Sequence, residues 1–71
     1  MKREGQIYTW SLLQYGFVVV GQEVFFLHSL EIVQGADKTV IGAKVIFDVA
    51  PPLPGKRYQR AVNAIVGAVQ Q

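Results

Sequence analysis

The sequence predicts an all-β domain closed into a small barrel, on three observations. Its apolar residues fall into short alternating runs broken by glycine, proline and polar turns. Valine dominates the apolar set, and a β-branched side chain packs well on a pleated, half-buried surface. Five such runs fit within 71 residues, and a sheet that small exposes two unpaired edges unless it closes on itself.

The first run, Gln6 to Leu13, alternates Ile7 and Thr9 against Tyr8 and Trp10. The second, Tyr15 to Val20, sets Tyr15, Phe17 and Val19 on one face and Gly16, Val18 and Val20 on the other. Gly21-Gln22 follows. Glycine at the first central position marks a type II′ turn, so the third run, Glu23 to His28, is expected to pair antiparallel with the second. That run groups Val24, Phe26 and His28 against Phe25 and Leu27. Val33 to Ile41, with Gly35, Asp37 and Lys38, reads as a longer connection. The fourth run, Lys44 to Val49, alternates Val45, Phe47 and Val49 against Lys44, Ile46 and Asp48. Pro51-Pro52-Leu53-Pro54-Gly55 cannot continue a strand and marks a rigid loop. The fifth run, Arg60 to Val66, reads as a strand, although Ala61, Ala64, Ile65, Ala68 and Val69 would also line one face of a helix. No repeat or low-complexity segment divides the chain, so residues 1–71 are expected to form one domain.

Composition narrows the function. With 51% hydrophobic and 17% charged residues the chain is too apolar for a disordered tail. The absence of cysteine excludes disulfide staples, thiolate zinc sites and thiol catalysis, and fits a cytoplasmic location. One histidine cannot build a multi-histidine metal site. The apolar stretches fall far short of the roughly 20 residues needed to span a bilayer, and the first residues lead into no apolar signal core. A net charge of +2 permits a polyanionic partner without demanding one. The carboxylates are scattered, and no serine–histidine–acid set or Gly-rich phosphate loop assembles. A binding module is expected rather than an enzyme, with no cofactor and no membrane partner.

Alternation puts rings from three successive strands on one face: Tyr8 and Trp10, Tyr15 and Phe17, and Phe26 with His28. Ile7, Val18, Val20, Phe25, Leu27, Val45 and Phe47 already fill the interior of so small a barrel, and further rings would overfill it. The rings are therefore expected outside, as a stacking platform for unpaired bases, each of which offers a π-face. Lys44 alternates onto the outer face, and Lys56, Arg57 and Arg60 cluster after the proline loop, placed to neutralise phosphates. The plainer alternatives are that Tyr15, Phe17 and Phe26 are core residues of a differently facing sheet, and that the cations are solvated surface.

Several stretches, in order, are similar to motifs of the cold-shock domain. Gly5-Gln6-Ile7-Tyr8-Thr9-Trp10 resembles its opening Gly-x-Val-Lys-Trp-Phe, and Gln14-Tyr15-Gly16-Phe17-Val18 its Gly-Phe-Gly-Phe-Ile. Phe25 to Ile32 looks like its Val-Phe-Val-His-Phe-Ser-x-Ile when the histidines and isoleucines are matched; matching Ser29 to the family serine instead puts Leu27 at the histidine position. Gly42-Ala43-Lys44-Val45-Ile46-Phe47 resembles Gly-x-x-Val-x-Phe, and Ala61-Val62-Asn63 the closing Ala-x-Asn. The resemblance implies a five-stranded antiparallel OB-fold barrel that binds single-stranded RNA or DNA and keeps RNA unpaired. It favours the strand reading of the last run, and implies that His28 stacks on or hydrogen-bonds to a base. Thr9 stands at the family's tryptophan position and Trp10 at the next, unless the strand slips by one residue. Tyr8 replaces a lysine, which weakens the phosphate grip more than the stacking platform.

The expected interface is therefore Tyr8, Trp10, Tyr15, Phe17, Phe26, His28, Lys44, Lys56, Arg57 and Arg60. Stacking on Trp10 is expected to quench its emission. The alternative is an OB-like module that buries the aromatic face in a protein partner or in a second copy of itself, as a homodimer.

Overall fold

The computed structural model describes residues 2–67. Its strands are β1 (Lys2–Trp10), β2 (Tyr15–Val20), β3 (Glu23–His28), β4 (Ile32–Gln34), β5 (Lys44–Ala50) and β6 (Arg60–Val66), with single 3-10 turns at Ser29–Glu31 and Ala36–Lys38. They run in the order β3-β2-β1-β5-β6, and β6 pairs back onto β3, closing a five-stranded, OB-like barrel. The closing seam is parallel, Phe26 facing Arg60 and Leu27 facing Ala61, where an antiparallel barrel was expected. The chain passes through β4 and β5 between the two strands, the long crossover a parallel pair needs. Part of the expected connection from Val33 to Ile41 is strand: β4 continues parallel along the same edge of β6.

Alternation decides the interior. Ile7, Val18, Phe25, Leu27, Val45, Phe47, Ala61, Ala64 and Val66 form the buried core, with Trp10, Val20 and Val49 packed against it. Phe25 and Phe47 meet at 5.2 Å between ring centroids. Arg3 lies over Phe25, 5.5 Å from its centroid, and its guanidinium pairs with Glu23 at 2.6 Å. The hairpin between β2 and β3 has the expected tight turn. Gly21 has φ 59°, Gln22 keeps a negative φ as a type II′ turn requires, and Val20 faces Glu23.

β1 differs from expectation at both ends. It begins at Lys2 because β5 pairs with it from Lys2–Asp48 to Gln6–Lys44, through residues whose polar side chains give no apolar pattern. It ends at Trp10 because Ser11 to Gln14 form a turn. The Gln14 N–H donates to the Ser11 carbonyl at 3.0 Å and the Leu13 N–H to Ser11 Oγ at 3.0 Å. Serine's local bonding outweighs the apolar Leu12 and Leu13.

Two bulges break the alternation. In β1, Tyr8 and Thr9 together oppose Phe17, since Ile7 faces Val18 and Thr9 faces Phe17. In β6 an extra residue falls between the Asp48–Val62 and Ile46–Ile65 pairs, where Asn63 adopts φ 52°. Burial in β6 therefore steps by three, Ala61 to Ala64, before it steps by two to Val66. That step is why the run also fitted a helix; Ala68 and Val69, which completed the helical face, lie outside the described residues.

Candidate nucleic-acid interface

The β2–β3 hairpin sets the ring geometry. Tyr15 faces His28 and Phe17 faces Phe26 across the ladder, so all four side chains leave the barrel on its outer face. Phe26 is the hub, 5.7 Å from Tyr15, 5.8 Å from Phe17 and 6.5 Å from His28 between centroids. These rings are half-buried against one another while Phe25 and Leu27, their neighbours on β3, point into the core.

A fifth ring comes from a residue outside the expected set. Tyr58, in the loop joining β5 to β6, meets Phe17 edge-on at 5.2 Å. Loop and hairpin together enclose a groove of about 460 Å³, lined by Phe17, Phe26, His28, Leu53, Tyr58, Arg60, Lys56 and Arg57. Tyr58 was missed because alternation speaks only for strands; the signal in hand was its position beside Lys56, Arg57 and Arg60.

The structure does not bring every expected residue to this groove. Trp10 is corrected to the other face. The bulge at Tyr8 shifts the register so that Trp10 faces Gly16 and packs on the core. A side chain at Gly16 would run into the Thr9 carbonyl and the Trp10 ring, so only glycine fits between them. Tyr8 is the bulged residue, 63% exposed, and does not line the groove; nor does Tyr15, which touches the cluster only through Phe26. Lys44 also lies outside it, with its ammonium 3.1 Å from Glu4.

Among the described residues the ion pairs are Lys2–Asp48, Arg3–Glu23 and Lys44–Glu4, all away from the groove. Lys56, Arg57 and Arg60 line the groove and pair with no carboxylate among the described residues. The Arg60 Nε donates to the Pro51 carbonyl at 2.9 Å, tying the start of the loop to the start of β6, and among the described residues its terminal amines make no hydrogen bond. The Leu30 N–H donates to His28 Nδ1 at 3.1 Å, so the neutral ring carries its proton on Nε2.

Half-exposed rings with unpaired cations beside them can stack flat, apolar faces and hold the anions attached to them. Among the described residues no group of carboxylates, histidines or cysteines could hold a metal ion, and no helix is long and apolar enough to cross a membrane. No family model matches the chain, and no curated protein matches it. The likeness to cold-shock domains rests on the ordered sequence motifs alone.

Proposed function

We propose that this protein binds single-stranded nucleic acid, RNA or DNA, by stacking bases on Tyr15, Phe17, Phe26, His28 and Tyr58. Lys56, Arg57 and Arg60 take the phosphates. The observation that carries the reading is the sorting of aromatic residues. Phe25 and Phe47 fill the core, while Phe17, Phe26, His28 and Tyr58 line one outer groove that also holds Lys56, Arg57 and Arg60, and Tyr15 extends the ring cluster beyond it through Phe26. A ring held against other rings keeps one face for a ligand, and every base offers a π-face. Duplex bases cannot splay onto such a surface, so a protein that holds only the open strand pulls hairpins towards the unpaired state.

The test is a titration of a labelled oligouridine and of its duplex, followed by anisotropy. Micromolar binding of the single strand with much weaker binding of the duplex supports the reading. Equal affinity for both reduces it to charge attraction, and no binding removes it.

A second reading, a protein-interaction module, is favoured by the leucines at one end of the hairpin. Leu12, Leu13 and Leu30 are 97%, 70% and 86% exposed. The Ser29 N–H donates to the Gln14 carbonyl at 2.9 Å, which brings their two segments together. Self-association in sedimentation that is lost on Leu12→Ser, Leu13→Ser substitution, with oligonucleotide binding absent, would select it.

A further inference from the structure

The groove extends beyond the phosphate-binding loop. A second recess of about 160 Å³ opens beside it and shares Phe26, His28, Leu53 and Arg60 with the first. Cavities of about 150 Å³ take one aromatic ring. Its walls are apolar at Phe26, Leu30 and Leu53, and its polar groups are Glu31, Arg60 and His28. Glu31 and Arg60 are both half-buried and line this one small recess, yet they do not pair with each other among the described residues. A carboxylate and a guanidinium that line one apolar recess without pairing offer acceptors and donors to a planar group seated there.

We propose that this recess is a guanine-reading subsite, an inference that rests on the single-strand reading above. Guanine presents N1–H and the N2 amine side by side, a match for the two oxygens of the Glu31 carboxylate. Its O6 and N7 accept from arginine, the commonest specific contact to that base; at a guanine the Arg60 terminal amines, which take a phosphate beside other bases, turn to O6 and N7, while Nε stays on the Pro51 carbonyl. His28 adds a donor at Nε2. Adenine and cytosine offer one amine beside an acceptor, which repels the second carboxylate oxygen. Uracil and thymine offer one N–H between two carbonyls. Glu31 also repels phosphate, so the backbone is directed to the Lys56–Arg57 end while the base enters at Glu31.

The experiment compares a short oligothymidine with the same oligomer carrying one central guanine, adenine or cytosine. It uses the intact protein and the Glu31→Gln variant, with melting curves showing that both fold. The expected result is that guanine tightens binding by about tenfold over thymine, the scale of a hydrogen bond to a charged group, and more than adenine or cytosine does. In Glu31→Gln the guanine advantage is lost while oligothymidine binds as well as before or better. Oligothymidine binding with no guanine preference, or a preference that survives in Glu31→Gln, overturns the subsite and leaves the single-strand reading standing. Binding of none of the oligomers overturns both.

Discussion

Two pairs of phenylalanines, distinguished only by facing, carry opposite expectations. Phe25 and Phe47 are buried and touch. Replacing either with alanine is expected to cost roughly 3–5 kcal/mol in chemical denaturation, enough to unfold a barrel of this size. Phe17 and Phe26 are half-exposed, so Phe17→Ala or Phe26→Ala is expected to leave a folded protein whose affinity for oligouridine falls by roughly 1–3 kcal/mol, the usual loss of one stacking partner. Tyr58→Ala is expected to fall in the same range. If Phe17→Ala unfolds the chain while Phe25→Ala does not, inside and outside are reversed. Trp10 packs on the core opposite Gly16. Its emission is therefore expected to follow unfolding and to change little when an oligonucleotide saturates the groove, a result that a fluorescence titration reads directly.

The bulge of β6 concentrates two properties in one element. Asn63 holds a left-handed φ of 52°, and its amide donates to the Asp48 carboxylate at 3.3 Å. Asparagine tolerates that conformation, and a β-branched residue does not. Asn63→Val is expected to destabilise the barrel by roughly 1–2 kcal/mol from the backbone alone, and Asn63→Gly by less, since glycine keeps the geometry and loses only the hydrogen bond. The same bond, with the nearby Lys2 ammonium, holds the Asp48 carboxyl below its ordinary value of 3.8. Folding therefore favours the ionised form. The stabilisation is complete above the ordinary value and is lost as the pH falls through the lower, folded-state one. A carboxyl-resolved NMR titration is expected to place the Asp48 midpoint below 3.8, and Asn63→Gly is expected to raise it.

At the scale of the whole molecule, the distribution of charge sets the salt response. Lys44, Arg3 and Lys2 are matched by Glu4, Glu23 and Asp48, while Lys56, Arg57 and Arg60, at the groove, pair with no carboxylate among the described residues. With three phosphate contacts at about 0.7 each, the slope of log affinity against log salt for a single strand is expected near −2. A slope much steeper would place further cations on the nucleic-acid path. Closure of the barrel also bears on binding: with β3 paired back onto β6, the five barrel strands offer a partner their outer face.

The local grammar of the sequence determined the β class, the facing of β2, β3 and β5, the tight hairpin at Gly21 and the strict loop at Pro51 to Gly55. Each depends on residues within a few positions of one another: a two-residue period, a positive φ, or a proline that cannot donate. Of the interior expected from that period, Ile7, Val18, Phe25, Leu27, Val45 and Phe47 are buried and Val20 only packs against them, while Ala61, Ala64 and Val66 join the core through the β6 bulge. The bulges at Tyr8 and Asn63, the parallel seam of β3 on β6, and the arrival of Tyr58 on Phe17 were decided only in three dimensions. A bulge is set by the partner strand's register, and a loop ring has no period to betray its direction. For the same reason Trp10, one bulged residue away from the expected face, packs against the core, and Tyr58 reaches the groove from a different part of the chain.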